Sequence, residues 1–323
     1  MTKTSAPGKI ILFGEHAVVY GQPALAVPVH QVHADVEIIE TEGGGIWVNA
    51  PDIGVHKKLF DLLPDHPLGL IISPFLAAFV VSGKKGIEIN VSSSIPIASG
   101  LGSGAAISVA MIRALSEHIP LPLDDEQVNE MAYEMEKIYH GTPSGIDNTV
   151  VTYGKPIFFS PPWSPPQAGG KPRRGGGASI ETLNVAKPFT IIIGDTGIPA
   201  PTKESVADVR KLWEQDKDKM EMLFGVAGSL ARTARQSIEG GHPERLGALM
   251  NENQRVLTEM GVSSPELDKL VAASLNAGAS GAKLSGGGRG GNMIALSTKE
   301  NAPTIVEALY TAGAKNVIVT EVS

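Results

Sequence analysis

The sequence of 323 residues predicts an α+β fold built as two domains. Three observations lead there. Strand-like segments crowd the first hundred residues and helical patterns follow in runs, the order of an α+β chain rather than of a doubly wound parallel sheet. Hydrophobic residues make up 42% of the chain, enough at this length to fill more than one core. Between Ser160 and Ser179, Ser-Pro-Pro-Trp-Ser-Pro-Pro gives way to Gly-Gly-Lys-Pro-Arg-Arg-Gly-Gly-Gly, and regular structure does not survive that density of proline and glycine. The domain boundary is expected there, with residues 1–178 before it and 179–323 after it. Arg173 and Arg174 in this stretch read as solvated charges.

The elements follow from local patterns. Lys9–Phe13, Ala24–Val29, Ala34–Glu40 and Gly86–Ser94 alternate or are β-branched and read as strands. Pro74 suits the first turn of a helix over Phe75–Val81. Ser103–His118 is a helix rich in small residues. Asp124 or Asp125 caps a helix that runs to His140, with Val128, Met131, Met135 and Ile138 along one face. Phe189–Gly194 opens the second half as a strand. Helical patterns follow at Glu204–Leu223, Ala227–Ile238, Gly247–Met260 and Glu266–Asn276. Lys283–Leu296 is strand-like around a glycine run, and a helix and a strand close the chain.

Composition removes several function classes. The formal net charge is −7 and no dense Lys/Arg run exists, which argues against nucleic acid or an anionic membrane as partner. With no cysteine there is no disulfide, no thiolate zinc site and no cysteine nucleophile. The first residues lack the apolar core of a signal peptide. The longest apolar run, Leu68 to Val81, is interrupted by Ser73 and Pro74 and falls short of the roughly 20 residues that span a bilayer. A cytoplasmic protein is expected.

Five segments carry the chemistry. In Pro96-Ile97-Ala98-Ser99-Gly100-Leu101-Gly102-Ser103-Gly104-Ala105-Ala106, the glycines clear space for a ligand against the backbone. The helix that starts at Ser103 offers unpartnered amides and a positive dipole end, a site for an anion such as phosphate. No Gly-Lys-Ser/Thr follows, so it is not a Walker A loop; close helix packing is the plainer alternative. Pro7-Gly8-Lys9 through Gly14-Glu15-His16 to Tyr20-Gly21 ends a strand in charged groups. Lys9 suits a phosphate or a developing alkoxide, although a surface turn with a Glu15–His16 pair would look the same. Glu136, with His140-Gly-Thr-Pro-Ser-Gly-Ile-Asp147-Asn148, presents two carboxylates, which hydroxyl phosphorylation uses as metal ligand and proton acceptor. A solvated helix glutamate and an ordinary Asx turn are the alternatives. Lys283-Leu-Ser-Gly-Gly-Gly-Arg289-Gly-Gly-Asn292 is either a flexible hairpin or a second glycine wall over a nucleotide, with Arg289 solvated or reaching an anion. Asp195 through Thr202-Lys203 is a polar turn after a strand, weak by itself.

In this order and combination the segments resemble the GHMP kinase superfamily. The Pro7 segment looks like its first motif, Pro96–Ala106 like its phosphate loop and Lys283–Asn292 like its third motif. The Pro-Ser-Gly-Ile-Asp-Asn run is similar to a signature found within the superfamily. The resemblance implies an N-terminal α+β domain with a left-handed βαβ crossover and a ferredoxin-like C-terminal domain, with ATP in the cleft between them. It implies transfer of the ATP γ-phosphoryl group to the 5-hydroxyl of mevalonate; phosphomevalonate, homoserine or a sugar are the rival acceptors. Asp147 and Lys9 would be catalytic, and Ser103 and Glu136 would hold Mg²⁺. Pro96, Ala98, Ser99, Gly100, Leu101, Gly102, Ser103, Gly104, Ala105 and Ala106 would hold the nucleotide. Glu15, His16, Asp147, Thr202 and Gly287 would line the substrate end. A homodimer is one expected assembly. The chain departs from the family pattern at Gly104, where a serine is usual, and at Arg289 and Asn292, where glycine and cysteine are common.

Overall fold

The computed structural model describes residues 1–62, 66–77, 86–96, 99–119, 121–140, 144–161, 163–164, 173–174, 179–200 and 202–323. They form two compact units that interleave along the chain. The first takes Met1–Gly8, Val32–Ile97 and Leu101–Gly154; the second takes Lys9–Gln31, Ala98–Gly100 and Lys155–Ser323. Strands β1 (Thr2–Phe13) and β2 (Ala24–Thr41) contribute part of their length to each.

In the first unit β2 runs antiparallel to β5 (Gly86–Ser93), with Ala34 opposite Ser93 and Thr41 opposite Gly86. Strand β3 (Ile46–Ala50) lies parallel to β5 and antiparallel to β4 (Val55–Lys58). Helices α1 (Pro67–Ile72), α2 (Ser103–His118), α3 (Asp125–His140) and α4 (Ile146–Tyr153) complete it. The sequence suggests two strands at 24–29 and 34–40, but one strand spans both. His30 and Gln31, both exposed, interrupt the burial pattern without ending the strand, and from Val32 onward Val32, Ala34, Val36 and Ile38 alternate inward. Pro67 opens α1, whose first turn is capped by the His66 ring, which accepts from the Leu68 amide. Pro74 falls in a 3₁₀ turn that leads into helix at Leu76 and Ala77, and residues 78–81 of the expected helix lie outside the described residues.

Helix α2 has the predicted bounds, and Ala105, Ala106, Val109, Ala110, Met111, Ile112 and Ala114 are all buried. A helix apolar on nearly every side belongs inside a core. Asp124 caps α3 in a reciprocal box: its carboxylate accepts from the Gln127 amide at 2.9 Å and its amide donates to the Gln127 side chain at 3.1 Å. The face that α3 turns inward shares Val128 with the predicted one but is centred one position further along the helix. Val128, Ala132 and Glu136 are buried, while Ile138 is 53% exposed. The methionines set the apparent stripe, yet the spacing of four from Val128 carries a carboxylate into the interior.

In the second unit β10 (Phe189–Asp195), β11 (Gly281–Ser285), β12 (Asn292–Ser297) and β13 (Asn316–Val322) form an antiparallel sheet in the order β11-β12-β10-β13. Helices α5 (Thr202–Gln215), α6 (Lys217–Glu239), α7 (Leu246–Glu259) and α8 (Pro265–Asn276) lie between β10 and β11, and α9 (Ala302–Ala312) between β12 and β13. That order is ferredoxin-like. Every residue of β10 is buried, so its Ile191-Ile192-Ile193 run reads as continuous rather than alternating. The single helix expected at 204–223 is two, because Asp216 leaves helical geometry and caps α6 by accepting from the Lys219 amide. The start of β2 pairs with β6 (Ile157–Ser160), and β6 with β9 (Ser179–Thr182). Within the expected linker, β7 (Trp163–Ser164) pairs with β8 (Arg173–Arg174); its other residues between 162 and 178, and the side chains of Arg173 and Arg174, lie outside the described residues.

Candidate functional site

The predicted residues fall into two groups, one in each unit. In the first unit, Gly102 caps α2 with φ 76° and no side chain bonds to the first-turn amides. Gly100, just before it in sequence, belongs to the second unit; it has φ 83°, and a Cβ there would meet nothing within 4 Å. A helix N-terminus with uncapped amides is the geometry an anion uses. Leu101, Ala105 and Ala106 are buried and fix the turn, while Ser103 and Gly104 are half-buried. Pro96 is half-buried and Ala98 lies outside the described residues. Glu136 is 3% exposed on α3, and a methyl group at Gly104 would stand 3.6 Å from its Oε1. The loop and the carboxylate are therefore neighbours.

Asp147 occupies the first turn of α4, half-buried. Its neighbour Asn148 anchors that turn to α3, donating to the Asn129 side chain at 2.6 Å and to its carbonyl at 3.3 Å. Arg113 of α2 donates to Asp125 on α3 and to the Thr152 carbonyl on α4, both at 2.6 Å. The helices bearing Ser103, Glu136 and Asp147 are thus tied together by hydrogen bonds. Among the described residues no three His, Asp or Glu side chains gather into a cation cage. One buried carboxylate beside the first turn of α2 is compatible with Mg²⁺, which takes one or two carboxylates and completes its shell with phosphate oxygens and water.

The second unit holds Lys9, buried on β1, and the turn that follows that strand. Gly14 has φ 96°, and a Cβ there would lie 2.5 Å from the Pro23 carbonyl oxygen, so only glycine fits. Glu15 does not pair with His16. Its Oε1 meets the ammonium of Lys283 on β11, with both side chains fully buried, and Asn253 of α7 donates to Oε2 at 3.4 Å. Lys283 also donates to the Leu284 carbonyl at 2.7 Å. Desolvation pulls the Lys283 pKa down and the Glu15 charge holds it up.

His16 has φ 57°, and its Nε2 donates to the Gly287 carbonyl at 3.0 Å. A carbonyl only accepts, so Nδ1 is left as the acceptor, and no partner reaches it among the described residues. Burial lowers the His16 pKa from 6.5 to about 4, opposed by the Gly287 bond and helped by the charge of Arg289. The ring is neutral at physiological pH.

The Gly286–Gly291 loop is held on several sides. Ser285 donates to the Ile11 carbonyl at 2.7 Å and Gly291 to the Ile198 carbonyl at 2.8 Å; Asn292 donates to the Ser99 carbonyl. The Arg289 guanidinium pairs with Asp208 of α5. Thr202 opens α5, and its side chain lies outside the described residues. Sequence reasoning missed Asn253 and Asp208, and it placed Lys283 in the glycine-rich segment without its pairing to Glu15. The signal for Lys283 was available: a lone charge in the otherwise apolar Ala282-Lys283-Leu284 demands a buried counter-ion.

Comparison with known proteins identifies the class. The model for the GHMP kinases N terminal domain matches residues 71–155, and that for GHMP kinases C terminal matches 234–315. The chain belongs to the GHMP kinase family. Full-length relatives there include mevalonate kinases. That of Thermococcus sibiricus is 35% identical across 97% of this chain and 94% of its own, and that of Pyrococcus horikoshii 34% across 90% and 87%. The crystal structure of L. major mevalonate kinase in complex with R-mevalonate is similar at a TM-score of 0.80 and 30% identity, covering 100% of this chain and 96% of that one.

Proposed function

We propose that this chain transfers the γ-phosphoryl group of ATP to the 5-hydroxyl of mevalonate, giving 5-phosphomevalonate and ADP. The observation that carries the reading is end-to-end likeness to mevalonate kinases, one of them solved with R-mevalonate. The residues supply compatible chemistry. The uncapped amides of α2, behind Gly100, Leu101 and Gly102, receive the phosphates. Ser103 and Glu136 hold Mg²⁺, which offsets phosphate charge when bound. The O5–Pγ bond forms as the bond from Pγ to the leaving ADP oxygen breaks, and Asp147 accepts the hydroxyl proton. Lys9 stabilises the developing negative charge. Glu15, His16, Thr202 and Gly287 serve the substrate end. There the neutral His16 keeps Nδ1 as an acceptor for a substrate hydroxyl. Residues 1–178 and 179–323 are the proposed family domains, the proposed location is cytoplasmic, and a homodimer is the proposed assembly.

The test is ADP release with ATP and Mg²⁺ against mevalonate, phosphomevalonate, isopentenyl phosphate, homoserine and galactose. Mevalonate is expected to win by a wide margin in kcat/KM. A different best acceptor overturns the assignment, and full activity with Mg²⁺ removed overturns the metal role.

A further inference from the structure

Arg289 has no part in the reaction just proposed, yet its loop holds it at a cost. Among the described non-glycine residues only His16 and Arg289 adopt left-handed φ, at 57° and 60°. A side chain in that region costs about 1–2 kcal/mol, and glycine avoids it. The neighbouring glycines are required by close approach: a Cβ at Gly288 would lie 2.0 Å from the Val262 carbonyl oxygen, and one at Gly290 2.6 Å from that of Ile198. Position 289 has no such constraint and carries an arginine. Its Nη1 pairs with Asp208 on α5, its Nη2 donates to the Gly261 carbonyl at 3.4 Å, and its backbone amide donates to the Val262 carbonyl at 2.9 Å. Asp208 is bound by Lys211 as well, and these two cations hold its pKa below the usual carboxylate value. The next residue but one before Arg289 is Gly287, whose carbonyl receives His16.

We propose that Arg289 is a positioning residue. Its ion pair with Asp208 latches the Gly286–Gly291 loop to α5 and to the turn after α7, and thereby fixes the Gly287 carbonyl that orients His16. The proposal rests on the reading of His16 as a substrate-side group.

Three variants test it: Arg289→Gly, which restores an unstrained backbone; Asp208→Asn, which removes the partner from a helix surface; and Arg289→Lys, which keeps the charge. Loss of a half-exposed pair predicts a KM for mevalonate raised roughly two- to fivefold at nearly constant kcat in the first two, with partial recovery in the third. Amide exchange within 286–291 should quicken in Arg289→Gly and Asp208→Asn, and the His16 ring, followed by NMR, should titrate at higher pH once the Arg289 charge is gone. Unchanged KM and unchanged exchange in both variants overturn the latch. So does a KM that rises in Arg289→Gly but not in Asp208→Asn, because the arginine would then act on the ligand directly. If His16→Asn leaves the KM for mevalonate unmoved, the substrate-side reading fails instead. The latch is then judged by exchange alone: faster exchange in both variants supports it, and unchanged exchange overturns it.

Discussion

Asp147 is held in the first turn of α4 by its neighbour Asn148, so an amide in its place keeps the shape and loses the basicity. Asp147→Asn should retain ATP binding and lose about 10²–10⁴-fold in kcat. Near-normal turnover in the folded variant would leave Asp147 an orienting role at most. His16 makes a different kind of prediction. Its pKa is about 4 in the folded protein against 6.5 for an ordinary imidazole, so between those values the unfolded chain binds the extra proton. Stability therefore rises with pH across that window and is lost as pH falls from about 6.5 to 4. The loss amounts to on the order of 3 kcal/mol at about 1.4 kcal/mol per pH unit. His16→Asn, which removes the titrating ring, should flatten that part of the profile. Urea midpoints of the two proteins at pH 7 and pH 4.5 give the answer, and a pH-independent difference between them sinks the idea.

At the scale of elements, two glycines of similar appearance in the sequence behave oppositely. Gly104 sits inside α2, where a Cβ meets only Glu136 Oε1, at an ordinary 3.6 Å. Gly104→Ala should thus stabilise the helix by about 0.5–1 kcal/mol. Gly288 has φ 73° and faces the Val262 carbonyl at 2.0 Å from its missing Cβ, so Gly288→Ala should lower the melting temperature sharply. Thermal melts that rank the two the other way would refute this reading of the loops. The contrast marks what was legible. The bounds of α2, the cap of α3 and the strand-like flanks of the glycine run are local patterns, and the structure has them. The inward face of α3 was legible only in part, because the methionines outnumber the single position at Glu136 that decides it. Strands β3, β4, β6 and β9 were missed for a related reason. They are four or five residues long, and their pairing comes from partners elsewhere in the chain. The site motifs were visible as glycine, carboxylate and lysine runs, but their partners Lys283, Asn253 and Asp208 lie far from them in sequence.

Across the whole chain, the second unit is assembled from both ends of the sequence. Glu15 and Lys283 are 268 residues apart and fully buried against each other. Removing one member leaves a desolvated charge, so Lys283→Met should cost about 3–5 kcal/mol, and the double change with Glu15→Gln should recover much of that. The same pair bears on where the chain can be cut. The fragment 179–323 contains the antiparallel sheet and α5 to α9, and by length alone it is a plausible domain. It lacks Lys9–Gln31, which belongs to that unit, and with it the counter-ion of Lys283 and the Ile11 carbonyl that receives Ser285. It also loses Tyr20, whose ring stacks on Phe224 of α6 with centroids 4.0 Å apart. The isolated fragment should therefore fail to melt cooperatively. Adding Lys283→Met should improve it, since a buried methionine needs no counter-ion. A fragment that melts as sharply as the full chain without that substitution would show that the N-terminal segment contributes nothing essential to this unit.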